Sequence, residues 1–364
     1  MAQEANWNRR DFMGHAAATG LAMTGAAMAA GAASTAAAAA AAAAIEPMKI
    51  GVFGLDYSFW PIWADLLSPR GKRVGTRLLR LQPAYVWDKD AKKAREFARA
   101  WDCEVVDRFD GMVGRVDAVV NGELTNVPWQ HLLMRPYLQA GMPCFLQRHW
   151  SDTLVHLDEM LDLAAKHGAP LMATVPFEHY GEADVAAAQL KTAGEIQGAF
   201  GAAHSSDEPH FHLPHLMMKI LGYDVESVSM NVDDVRKVGY LNVDYVYPKT
   251  DKRAAFVLSM QGSGPDVFRF SIVGEQATVA AGMPAAADYF ARFFGQLLDI
   301  QRSFEKRALY QPLDVIRRKF QCVQAAWYSR LQRNGTPVKI GSVPADWPIP
   351  AWTPGAFTAA DFRA

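Results

Sequence analysis

Glu208-Pro209-His210-Phe211-His212-Leu213-Pro214-His215 sets three imidazoles and a carboxylate within one short stretch. Imidazole serves as acid, base or metal ligand near neutral pH. As extended chain, residues 210 and 212 project to the same side. Pro214 suits the first turn of a helix, which would bring His215 close by. Glu208, His210, His212 and His215 could then hold Zn or Mn with one coordination position open. A metal there would polarise a substrate oxygen or activate water. Without a metal, the same histidines would line a polar pocket.

The elements around this segment set where it can act. Met48 to Gly54 is a short apolar run ending at glycine, the pattern of a buried strand feeding a turn. A helix is expected over 60–67, a strand over 84–88, a helix over 91–101 and a strand over 116–120. Helix 130–140, strand 143–146, helix 153–167 and strand 171–175 follow, with Gly141 and Gly168 as helix stops. This alternation predicts a Rossmann-like, doubly wound parallel sheet. Beyond residue 180, strands at 196–204, 225–232, 245–247, 254–261, 267–273 and 277–280 succeed one another with few helices between them. They predict an open, mostly antiparallel sheet. Helices over 288–306 and 313–333 lie on one of its faces. The fold class is therefore α/β plus α+β. Its expected parts are a leader (1–45), a nucleotide-type domain (46–178), a substrate and oligomerisation domain (179–342) and a Pro/Trp-rich tail (343–364).

The leader carries Asn8-Arg9-Arg10-Asp11-Phe12-Met13 and then an Ala/Gly-rich run to about residue 44. This is a twin-arginine (Tat) export pattern. It implies the Tat machinery as a partner and a periplasmic or extracellular location. The run is too rich in small residues for a stable membrane anchor. Tat carries folded proteins, so a cofactor would be loaded before export and would have to stay bound. About 320 residues remain, enough for two domains with a substantial core. A net charge of −1 gives no pull toward nucleic acid. Cys103, Cys144 and Cys322 are widely spaced and read as buried thiols.

Over about residues 47–340 the chain resembles the glucose–fructose oxidoreductase/inositol dehydrogenase/rhizopine-catabolism (Gfo/Idh/MocA) family. Four places carry the likeness: Gly54 after the first strand, Asp88 at the end of the second, Ala140 to His149, and Glu208 to Gly222. The resemblance implies a small carbohydrate substrate, NAD or NADP as cofactor, and a homo-oligomer. Gly54, Asp56, Asp88 and Gln147 would hold the cofactor, with Asp88 on a ribose hydroxyl, which favours NAD. His212 falls on the family's acid/base histidine, with His215 beside it. Glu178, His179 and Tyr180 fall on a segment that touches substrate.

The chain also departs from that pattern. The phosphate-loop positions read Gly54, Asp56 and Phe59, so a carboxylate would face the pyrophosphate. The Glu-Lys-Pro triplet becomes Gln147-Arg148-His149. Arg148 keeps the charge that fixes a substrate oxygen but is a poor proton donor. Three functions follow. The first is a sugar oxidoreductase with tightly bound dinucleotide. The second is a non-redox, metal-assisted glycoside lyase or hydrolase using the histidine cluster. The third is a carbohydrate-binding protein.

Overall fold

Met48–Phe53 (β1) runs from a half-exposed start into four buried residues, Ile50 to Phe53. Its burial on both faces is what a central parallel strand requires. In the computed structural model, the described residues are 46–56, 60–67, 79–123, 127–179, 181–204, 209–233, 235, 238–245, 252–259, 267–283, 289–350 and 357–362. The expected leader (1–45), Phe59, Tyr180 and Glu208 lie outside them. Contacts divide the chain after Glu46, and Pro47–Ala364 forms one compact unit.

Around β1 the parallel strands are Leu81–Trp87 (β2), Glu104–Val105 (β3), Ala118–Asn121 (β4), Cys144–Leu146 (β5) and Leu171–Ala173 (β6). Their order is β3-β2-β1-β4-β5-β6, all pairs parallel. Strand order therefore reverses between β1 and β4, the switch point at whose carboxyl ends such sheets take ligands. The intervening helices are Trp60–Leu67 (α1), Ala91–Trp101 (α2), Gln130–Gln139 (α3) and Leu154–His167 (α4). Asp90 caps α2 by accepting from the Lys92 and Lys93 amides. Thr153 caps α4, and Gly168 ends it in the left-handed conformation at φ 64.

After α5 (Gly181–Gln189) comes the second sheet. Its strands are Ile196–His204 (β7), Val225–Asp233 (β8), Val238–Tyr245 (β9), Lys252–Ser259 (β10), Val267–Gly274 (β11), Thr278–Met283 (β12) and Val338–Lys339 (β13). The order is β12-β11-β7-β10-β9-β8-β13, antiparallel except for β10 beside β7. Pro209–Leu221 (α6) lies between β7 and β8, and Tyr289–Lys306 (α7) and Leu313–Gln332 (α8) follow β12.

Alternation along the parallel strands divides the core. Ile50, Val52, Val120 and Phe145 face Trp60 and Trp63 of α1 and Phe293, Leu297, Ile300 and Phe304 of α7. Phe53, Val119, Cys144 and Leu146 join the core that continues under the second sheet. The α7 stripe, spaced by four, three and four residues, is the buried face of an amphipathic helix. It folds back onto the first sheet although it follows the second in sequence. Cys144 and Cys322 are buried and Cys103 is partly so, all three as free thiols. No helix among the described residues is long and apolar enough to cross a membrane.

Three expectations shift. The strand read at 245–247 is β9, Val238–Tyr245, where buried Leu241 and Val243 alternate with outward Tyr240, Asn242 and Asp244. Helix α5 was not foreseen; its alanine-rich sequence carries almost no amphipathic signal. Edge strands β3 and β13 are two residues each and exist through their pairing with β2 and β8.

Candidate active site

The chain leaving β1, β2, β4, β5 and β6, together with helix α6, forms the carboxyl side of the parallel sheet. Gly54 leaves β1 at φ +74, and a Cβ there would lie 2.5 Å from the Glu123 amide nitrogen. Only glycine permits that turn so close to the chain leaving β4. The next amide, Leu55 N–H, donates to Asp88 Oδ2 at 2.8 Å, and Asp90 N–H donates to Asp88 Oδ1 at 2.8 Å. Asp88 is thus fixed at the end of β2. Burial raises its carboxyl above the usual range, and the two amides oppose that rise.

The Asp56 carboxylate is ion-paired with Lys93 Nζ of α2, at the exposed edge of the same turn.

Asn121 ends β4 fully buried. Its Oδ1 accepts from Glu123 N–H at 2.8 Å, while its Nδ2 has no partner among the described residues. Gln147, just after β5, is fully buried, and neither of its amide atoms has a partner there. Buried amides are normally satisfied. Unsatisfied ones at a switch point fit a polar ligand with hydrogen-bonding groups. These residues could hold a nicotinamide dinucleotide, with the Gly54 turn open to phosphates and the Asp88 carboxylate and the Asn121 and Gln147 amides open to its polar groups.

Arg148 and His149 follow, 2% and 7% exposed. Burial first, and then the Arg148 charge, pushes the His149 imidazole down to about 3. Trp150, fully buried, stacks on His215 with ring centroids 4.7 Å apart and planes 6° apart. That stack joins the loop after β5 to α6.

Helix α6 corrects the local geometry expected for the histidines. It begins at Pro209, so the segment is helical from there and Pro214 lies in its interior. A proline at the first helical position loses no hydrogen bond, which favours the earlier start. On a helix, residues 210 and 212 do not share a face, whereas 212, 215 and 219 do. His212 meets the Phe177 ring at 4.6 Å. Lys219 donates to the Glu178 carbonyl and pairs with Asp184 at 2.7 Å. Burial, then the charges of Lys319 and His149, hold His215 well below the usual imidazole range, and so uncharged. Among the described residues, no three His, Cys, Asp or Glu side chains are grouped to hold a metal ion. Glu208 and the His210 side chain lie outside those residues.

The short turn Pro176–His179 after β6 completes this side of the sheet. Glu178 is turned inward: Oε1 accepts from Val175 N–H at 3.1 Å, and Oε2 is ion-paired with Lys319. His179 bonds Asp299 Oδ2 at 2.8 Å through Nδ1 and Thr174 Oγ1 at 2.9 Å through Nε2. Both are therefore engaged within the protein.

Lys319 is the residue that sequence reading missed. It is fully buried on α8 and donates to Gln311 Oε1 at 2.7 Å, while Gln311 Nε2 donates to the Ala173 carbonyl at 2.8 Å. Burial lowers its ammonium below the ordinary value, and Glu178 opposes that. In the run Arg317-Arg318-Lys319 it reads as part of a solvated face. The available signal was its place on the stripe of buried Ile316, Phe320 and Val323.

The fold is that of inositol and other sugar dehydrogenases of Gfo/Idh/MocA type. Myo-inositol dehydrogenase from Lactobacillus casei, in complex with NAD(H) and myo-inositol, superposes with a TM-score of 0.69 at 12% identity, covering 82% of this chain and 98% of that one. Scyllo-inositol dehydrogenase from the same organism gives 0.68 at 11% identity, covering 82% and 99%. A probable dehydrogenase from Thermotoga maritima gives 0.67 at 14% identity, covering 82% and 100%. No family model matches the sequence, and no curated protein matches it.

Proposed function

We propose that this protein is an exported, sugar-active oxidoreductase of the Gfo/Idh/MocA type that works with a tightly held nicotinamide dinucleotide, NAD in preference to NADP. The observation that carries the reading is the Trp150–His215 stack. It packs the loop bearing Gln147 and Arg148, at the carboxyl end of β5, against the helix bearing His212. The NAD(H) and myo-inositol complex of the Lactobacillus casei enzyme supports the choice of cofactor and of a polyol or sugar substrate.

A bound nicotinamide supplies the hydride acceptor. The chain's own residues do the rest. His212 takes the proton from the reacting hydroxyl as general base. Arg148 holds that oxygen and stabilises the charge that develops on it. Gln147 and Asn121 orient polar groups at the reacting end, and Asp88 holds a ribose. Phe177, Trp150 and the buried Lys319–Glu178 pair exclude water and fix the histidine-bearing helix. His215, kept uncharged, acts as a packing partner that sets the position of His212 one turn earlier.

Export follows from Arg9 and Arg10, and replacing both with lysine should retain the protein in the cytoplasm. The test of chemistry is dehydrogenase activity of the full chain on a panel of cyclitols and aldoses. His212→Asn should lower kcat about 10²–10⁴-fold. Arg148→Met should lower kcat/KM while leaving nucleotide retention intact. Purified protein with stoichiometric zinc or manganese, no nucleotide and no hydride transfer would instead favour the metal-assisted lyase or hydrolase.

A further inference from the structure

Lys89 directly follows the ribose-facing Asp88. A cation at such a place is what accommodates the 2′-phosphate of NADP. Here its charge is taken by the far end of the chain: Lys89 Nζ donates to Asp361 Oδ2 at 2.7 Å. Asp361 is held ready for this, since Oδ2 also accepts from Thr358 N–H at 2.7 Å and from Thr358 Oγ1 at 3.1 Å. The Lys89 ammonium stands 5.1 Å from the centre of the Phe357 ring.

The segment 357–362 is anchored by aromatic contacts across the carboxyl edge of the parallel sheet. Phe357 is buried and lies 5.7 Å from Trp87, the last residue of β2. Phe362 stacks on Trp129 at 5.5 Å and meets Phe109 at 5.4 Å. The neighbouring cation, Lys93, is matched by Asp56. Asp88 and Asp90 add further negative charge. A 2′-phosphate would enter a rim whose nearest ammonium groups are already engaged.

We infer that Asp361 is a cofactor-specificity residue: the C-terminal segment withdraws Lys89 from the ribose edge and so biases the nucleoside site toward NAD against NADP. This rests on the dinucleotide reading above. The Lys89–Asp361 pair is about one-third exposed on each side (32% and 31%), so its contribution to stability is small and its consequence is selectivity.

The experiment is an equilibrium titration of the full chain, freed of any bound nucleotide, with NADH and separately with NADPH, read by nucleotide fluorescence. Wild type, Asp361→Asn, Lys89→Gln and the double variant are compared. Asp361→Asn should lower the ratio of the NADPH to the NADH dissociation constant roughly fivefold. In the Lys89→Gln background the same substitution should leave the ratio unchanged. A ratio unmoved by Asp361→Asn, or moved equally without Lys89, overturns the inference while the dinucleotide reading stands. Failure of wild type to bind either nucleotide overturns both.

Discussion

Trp150 and His215 lie face to face, ring centroids 4.7 Å apart and planes nearly parallel, although 64 positions separate them in the sequence. One closes the loop after a parallel strand and the other sits on the helix between β7 and β8. Both are fully buried. The candidate site depends on this contact, because it fixes the distance between Arg148 and the histidine helix.

Truncating the indole tests that dependence. Trp150→Ala leaves a large cavity and should cost about 3–5 kcal/mol, read by chemical denaturation. Trp150→Phe keeps a ring on His215 and should cost clearly less. Equal costs would show that a ring kept on His215 contributes nothing, and would remove the stacked pair as what holds the two segments together.

The buried Lys319–Glu178 pair predicts strong non-additivity. Lys319→Met strands the Glu178 carboxylate in the interior and should destabilise by about 3–5 kcal/mol. Glu178→Gln strands the ammonium and should also destabilise. The double variant, with both charges gone, should be more stable than either single one. Additive losses in the cycle would show that the two side chains act independently.

Acid stability follows from the depressed histidines. His149 is pushed down to about 3 by burial and the Arg148 charge, and His131 to about 4 by burial and neighbouring His156. Their unfolded value is near 6.5. Between these limits the unfolded chain binds more protons, so stability should fall as pH drops from about 6.5 toward 3. His156, raised by Asp152, acts in the opposite sense over a window just above 6.5. Denaturation midpoints measured along that range should drop less steeply in His149→Gln than in wild type. Parallel curves would remove His149 as a cause.

Much of the architecture was legible in the chain. Short apolar runs and amphipathic stretches with glycine stops, such as those at Gly141 and Gly168, marked the parallel layer because burial on both faces leaves an unmistakable pattern. The convergence of the 147–150 and 212–215 segments came through the resemblance to a known family. Local geometry was less legible. Pro214 read as a helix start, yet Pro209 offered an earlier one, and this separated His210 from His212. Glu178 and His179 read as substrate contacts; that they also pair with Lys319 and Asp299, from helices more than a hundred positions later, could not be read from the sequence. Long-range pairing of that kind leaves no local trace. Lys319 was hidden by two adjacent arginines, and only the apolar stripe around it betrays that it points inward.

The most direct measurement is the identity of what the folded protein carries. The purified protein, once denatured, should release close to one nicotinamide dinucleotide per chain, identified by mass. The apo protein should rebind NADH, and Asp88→Lys should weaken that binding. A released fraction with no nucleotide, together with an apo protein that NADH does not bind at all, would contradict a dinucleotide-dependent oxidoreductase.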